Sequence, residues 1–150
     1  MNPANKTDDN KLAETRPVVR QSMARLRLRK HADYQRAYAS GRKHQSASMS
    51  WFLAPHVPAF DFPSPRIGLT AGKVLGKAHE RNRIKRRMRE ALRRHTDLFP
   101  SGCDLILHPR RSVLTMDFAK LEAEIVRILQ QAQTEADRNT LRSAEAGPTP

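Results

Sequence analysis

The sequence predicts a single α+β domain built around one sheet, and three observations carry that expectation. Apolar residues alternate with a period of two in residues 46–55, 66–72 and 103–108. They recur at helical spacing in residues 80–94 and 117–129. With 150 residues and 38% hydrophobic content, the chain can fill one modest core and not two. Residues 25–134 are expected to form this domain. Residues 1–24 and 135–150 are polar and lack a periodic apolar face, so they are expected to be a disordered arm and a disordered tail.

Each element has its own warrant. Order begins near Leu26 and Leu28. HADYQRAYASG (residues 31–41) reads as a short helix: Tyr34 and Tyr38 share a face at i, i+4, Asp33 suits the first turn, and Gly41 supplies a stop. In SASMSWFLAP (46–55), Ala47, Met49, Trp51 and Leu53 point one way and Ser48, Ser50 and Phe52 the other. PHVPAFDFPSP carries four prolines and is a loop. RIGLTAG (66–72) is a strand with Ile67, Leu69 and Ala71 on one face, and CDLILH (103–108) is another, entered through the turn Pro100-Ser101-Gly102. Asp117 can cap a last helix whose stripe is Phe118, Leu121, Ile125, Ile128 and Leu129.

Between the last two strands lies ERNRIKRRMREALRR (80–94), in which eight of fifteen residues are basic and two acidic. At about 100° per residue, Ile84, Met88, Ala91 and Leu92 form one stripe, and Asn82, Arg86, Arg89 and Arg93 lie opposite, flanked by Arg83 and Lys85. Glu90 can pair with Arg86 or Arg94, but Arg83–Arg87 and Arg89–Arg93 repel. A solubilising surface mixes signs to avoid that repulsion. Phosphates reverse it, because each neutralised phosphate releases counterions. The whole chain agrees: 28 basic against 15 acidic residues leave +13, which calls for a polyanionic partner.

Several partners are excluded. No apolar run approaches the roughly 18 residues of a membrane span, and no bulky aromatic flanks the basic face as a membrane-surface helix requires. No heptads follow Leu92, so the helix is not the basic region of a DNA-binding zipper. A basic helix backed by a sheet suits structured RNA. The N-terminus has no signal-peptide core and Cys103 is the only cysteine, so the chain is expected in the cytoplasm.

GLTAGKVLGKAHERNRIKRRMREALR (68–93) resembles the signature of the bacterial ribonuclease P protein subunit, with Arg81-Asn82-Arg83, Lys85-Arg86 and Arg89-Glu90 in place. Leu28, Asp33, Tyr34, Tyr38 and Gly41 match the family's upstream pattern, and Asp104 and Phe118 its downstream one. The chain departs where Gly72-Lys73-Val74 replaces Ser-Lys-Lys, where His79 follows Ala78, and where tyrosine replaces phenylalanine.

The resemblance implies an α-β-β-β-α-β-α sandwich related to a ribosomal-protein domain, with a left-handed β-α-β crossover against the right-handed rule. Three strands are legible, and the missing one is expected near the proline-rich loop. The resemblance further implies contacts to the catalytic RNA through Lys73, Arg81, Asn82, Arg83, Lys85, Arg86, Arg89 and Arg93. It places the 5′ leader of precursor tRNA in a cleft lined by Tyr34, Tyr38 and Phe52. From the residues alone the tyrosines could be core or a stacking platform, and bulk favours burying Trp51 over Phe52. Removal of the leader would be performed by the RNA with Mg²⁺ bound mainly there. No catalytic residue is expected in the chain. His31, His44, His56, His79, His95 and His108 are scattered, as are Asp61, Asp97, Asp104 and Asp117. A structured-RNA-binding protein without a processing role is the alternative, and an RNA-independent hydrolase a distant third.

Overall fold

The computed structural model describes residues 25–56 and 65–146. The expected arm (1–24), most of the proline-rich loop and the last four residues lie outside them. The described elements run α1 (His31–Ser40), β1 (Arg42–Gln45), β2 (Met49–Pro55), β3 (Arg66–Leu69), α2 (Ala78–Arg93), β4 (Cys103–Pro109) and α3 (Phe118–Ala146). This is the expected α-β-β-β-α-β-α order. The sheet order is β1-β2-β4-β3, with β4 antiparallel to β2 and parallel to β3. β3-α2-β4 is therefore a crossover between adjacent parallel strands.

Two layers of side chains sandwich this sheet. Met49, Trp51, Leu53, Ile67, Leu105 and Leu107 face a large core completed by Ile84, Met88, Ala91 and Leu92 of α2 and by Leu121, Ile125, Ile128 and Leu129 of α3. A smaller cluster on the other side joins Leu28, Ala37, Ala54 and Ile106, with Tyr34 and Phe52 packed at its edge. The alternation read in residues 49–54 thus holds, and Trp51 is buried while Phe52 lies on the α1 side.

Four expectations are corrected. The missing strand is β1, ahead of β2 rather than near the proline-rich loop. Its sequence is RKHQ on a sheet edge, so it carries no apolar alternation to read. β2 begins at Met49, not residue 46, because Glu124 of α3 captures the preceding turn: it accepts from the Ser48 amide (2.9 Å), the Ser48 hydroxyl (2.6 Å) and the Ser46 hydroxyl. β3 ends at Leu69, two residues short of Ala71, although Ala71 still packs on the core. Helix α3 continues to Ala146, beyond the expected boundary at residue 134. Ala132 and Ala136 prolong its buried stripe, and Glu135 lies 2.8 Å from His44 Nε2 of β1. Asp117 does cap it, accepting from the Lys120 amide.

Helix α1 is fixed by polar contacts as much as by Ala37. Arg66 of β3 donates to both carboxylate oxygens of Asp104 (2.9 and 3.0 Å) and to Asp33 of α1 (3.1 Å). His56 adds a 2.8 Å contact to Asp104. Burial pushes the Asp104 carboxyl up, but the hydrogen bonds from His56 and Arg66 outweigh it and leave its pKa below the ordinary value. Gly41 ends α1 for reasons of space: its φ of −87° is open to any residue, but a Cβ would stand 2.5 Å from the Ala37 carbonyl oxygen.

The extension of α3 is testable by truncation. Ending the chain at Thr134 removes Glu135 and Ala136 from the fold, and should lower Tm by at least about 4 °C, the shift expected from a loss of roughly 1 kcal/mol in a domain this size. Ending it at Leu141 should change Tm by less than that. Equal melting of both truncations by circular dichroism would return residues 135–141 to the tail.

Candidate nucleic-acid interface

Helix α2 must present its charges from a defined starting point, and the loop before it supplies one. Glu80 accepts the Lys77 amide (2.9 Å), closing the first turn. Arg111, from the turn after β4, donates to both Glu80 oxygens (3.1 and 2.8 Å) and to the Leu75 carbonyl (2.7 Å). Gly76 sits beneath this clamp with φ 123°, where a Cβ would collide with the Arg111 guanidinium and the Glu80 carboxylate. The Arg111 hydrogen bonds, then the Lys77 amide, hold the Glu80 carboxyl at about 2.

The basic residues of α2 divide into two sets. Arg81 donates to Gly76 O (3.2 Å), Arg83 to Leu114 O (3.3 Å) and Arg87 to Met116 O, so these fasten the helix to its surroundings. Arg87 and Arg94 also stand 5.9 and 5.0 Å from the centre of the Phe118 ring. Glu90 pairs with Arg93 and Arg94 (2.7 and 3.1 Å), not with Arg86. Arg93 of this face is therefore neutralised within the chain. Asn82, Arg86 and Arg89 are exposed, Lys85 is partly exposed, and no described acidic group forms an ion pair with Lys85, Arg86 or Arg89. Lys73 is exposed on the short turn Lys73–Leu75.

The second surface lies on the other side of the sheet. Tyr38 is 36% exposed, and its ring meets Phe52 edge-on at 5.0 Å and Tyr34 at 6.3 Å. Tyr34 sits deeper. Its hydroxyl donates to Leu28 O and accepts from the Leu69 amide (both 3.3 Å), and a Cβ at Gly68 would come within 2.8 Å of it. The expected cleft residues are thus brought together, with Tyr38 outermost and Tyr34 partly structural.

Sequence reading missed a fourth ring. His108 of β4 lies 5.6 Å from Tyr38 and 5.5 Å from Phe52. Its Nε2 is 3.1 Å from the Tyr38 hydroxyl and its Nδ1 2.7 Å from that of Thr70. The signal was the period of two along CDLILH, which puts His108 on the face of Ile106 and, across the ladder, opposite Ser50 beside Phe52. The two surfaces approach each other at the β3 edge, where Arg27, Tyr34, Leu69 and Arg89 line a cavity of about 260 Å³.

Among the described residues no group of three His, Cys, Asp or Glu side chains could hold a metal ion, and Asp33 and Asp104 are turned onto Arg66. Cys103 is buried, and burial together with nearby carboxylates pushes its thiol up to about 11, which disfavours the nucleophilic thiolate. His79 is exposed. No described helix is long and apolar enough to cross a membrane.

Comparison with known proteins points to one family. The family model described as Ribonuclease P matches residues 23–133. The ribonuclease P protein component of Chloroflexus aggregans is 37% identical over 107 residues, 71% of this chain and 76% of that one. That of Thermobifida fusca is 29% identical over 130 residues, 81% and 88% of the two chains. The solved RNase P protein from Thermotoga maritima superposes with a TM-score of 0.60 at 26% identity, covering 70% of this chain and 96% of its own.

The clamp at the start of α2 has a pH signature. A depressed carboxyl stabilises the fold fully above the unfolded carboxyl's pKa and loses that contribution as pH falls through the folded value. The Glu80 carboxyl resonance should therefore titrate near about 2 in the wild type. In Arg111→Ala it should move back toward the ordinary carboxylate range, and an unmoved midpoint would show that Arg111 does not hold it.

Proposed function

The chain belongs to the ribonuclease P protein family, and on that premise we propose that its two surfaces serve two RNAs. Members of the family are protein components of ribonuclease P, so the assembly this chain serves is a ribonuclease. The outward face of α2, with Asn82, Lys85, Arg86 and Arg89, together with Lys73, binds the catalytic RNA. Arg81, Arg83 and Arg93, engaged within the protein, orient that face and add positive potential. Tyr38 and Phe52, backed by Tyr34, stack unpaired bases of the 5′ leader of precursor tRNA and assist its endonucleolytic removal.

The observation that carries this reading is the unpaired charge on α2. Arg86 and Arg89 are exposed with no acidic partner among the described residues, on a helix whose other guanidiniums find carbonyls, carboxylates or a ring. Neighbouring cations left unpaired in this way cost the free protein stability, and phosphates remove that cost. The exposed Tyr38 ring and the partly exposed Phe52 ring stand in a different layer, where stacking rather than charge is on offer.

Magnesium belongs to the RNA subunit in this proposal. Asp104, Glu80, Glu90 and Glu124 are held by Arg66, Arg111, Arg93 and serine hydroxyls, and no group of three His, Cys, Asp or Glu side chains among the described residues fits a metal ion. The protein acts where it is made, in the cytoplasm, and membrane and DNA are not its partners.

Two measurements test the assignment. Arg86→Ala with Arg89→Ala should weaken binding to the catalytic RNA and flatten its log–log salt dependence by about 0.7–0.9 per lost contact. An unchanged slope in a folded double variant would make this face solvated surface only. Tyr38→Ala should weaken binding of leader-bearing precursor tRNA to the reconstituted complex about fivefold to hundredfold, and leave mature tRNA untouched. Equal weakening of both would remove the leader role. Tyr34 is a poorer probe, since losing its ring also breaks the bonds to Leu28 and Leu69.

A further inference from the structure

His108 occupies a position that simple core packing does not explain. On the same face of β4, Ile106 is fully buried and aliphatic. His108, one step along, is half-exposed and completes a three-ring patch with Tyr38 and Phe52. Beyond it the surface continues into a cavity of about 400 Å³ that His108 lines together with Ser50, Thr70, Val74, Arg110 and Arg111. Val74 is 90% exposed at its rim. The imidazole is thus a wall shared by the aromatic surface and a polar recess.

Both ring nitrogens are engaged by hydroxyl groups, and this constrains their protons. Burial, helped by the Lys43 charge, lowers the His108 pKa, so near neutral pH the ring is uncharged and carries one N–H and one lone pair. If Nε2 bears the proton, it donates to the Tyr38 oxygen, and the Tyr38 O–H is free to donate outward. If Nδ1 bears it, Nε2 accepts the Tyr38 O–H, and only oxygen lone pairs face outward. Thr70 takes the complementary role each time. One proton shift on His108 therefore converts the outermost ring of the patch from donor to acceptor.

We propose that His108 is a specificity-determining residue for the leader: its tautomer sets whether Tyr38 offers a hydrogen-bond donor or an acceptor to the base stacked beside Phe52. The ligand class is one unpaired nucleotide of single-stranded RNA, held by its ring face and read at one polar edge atom. This rests on the leader reading above and adds to it a residue and a function. A fixed hydroxyl would favour bases with one kind of edge group at that place. The His108–Thr70 pair lets Tyr38 match either kind, so the wild type should be tolerant there.

The test uses holoenzyme reconstituted with a ribonuclease P RNA, and precursor tRNAs in which each leader position carries each of the four bases in turn. His108→Leu should alter the ranking of bases at a single leader position by about twofold to tenfold, the worth of one hydrogen bond. Tyr38→Phe should alter the same position, and the double variant should add nothing further, because both remove one shared contact. His108→Gln keeps a donor and an acceptor but exchanges them only by turning the whole amide, not by moving a proton, so it should change the ranking at that position even if the leucine variant folds poorly. If Tyr38→Ala is leader-specific but the His108→Leu and His108→Gln profiles run parallel to the wild type at every position, the inference fails alone. If Tyr38→Ala weakens mature tRNA equally, the leader surface fails and this inference with it.

Discussion

A helix carrying this much like charge has to be held in place by something other than its charges. Each repulsive i, i+4 pair on α2 costs a few tenths of a kcal/mol. Each fully buried side chain among Ile84, Met88 and Leu92 is worth roughly 1.5–3 kcal/mol against exposure. The apolar stripe therefore wins comfortably, and α2 can keep exposed guanidiniums facing outward at a tolerable cost. The remaining cations are turned to use. Arg81, Arg83 and Arg87 satisfy carbonyls at the ends of neighbouring turns, which a mixed-sign surface would not have required.

The aromatic surface depends on a different anchor. Helix α1 is short, and of its residues only Asp33 and Ala37 are buried. What seats it is Arg66 between Asp33 and Asp104, together with the Tyr34 ring lying over Gly68. Arg66 and Gly68 both belong to β3, which is paired in parallel with β4, the strand that carries His108. One short strand thus sets the distance between Tyr38 and His108. A side chain at residue 68 would push Tyr34 outward and open the patch from behind, without touching Tyr38, Phe52 or His108.

What could be read from the sequence followed from where physical signals are loud. The wheel of residues 80–94 located the buried stripe of α2 correctly, because four apolar positions on a basic background have a single plausible face. The alternation of Met49, Trp51 and Leu53 separated Trp51 from Phe52 for the same reason. β1 was silent, since an exposed edge strand of Arg, Lys, His and Gln is held by its backbone ladder and by nothing periodic. The end of α3 was misjudged because Ala132, Glu135 and Ala136 keep helical spacing with small or charged side chains, and the buried Glu135 is explained only by His44 from a distant strand. His108 was passed over as one scattered histidine. Its neighbours Tyr38 and Thr70 are far away in sequence, and a hydroxyl–imidazole chain leaves no trace in spacing.

The polar edge at β1 has a consequence for the molecule in a crowded setting. An outermost strand offers unpaired amides and carbonyls to any passing chain with a free edge of its own. Here that edge carries exposed Arg42 and Lys43, and an identical molecule would bring the same charges against them. The excess of positive charge that the chain carries therefore also works as a guard at the far side of the sheet. It penalises edge-to-edge stacking of copies, so a chain waiting for its RNA is protected from the aggregation that an apolar margin would invite.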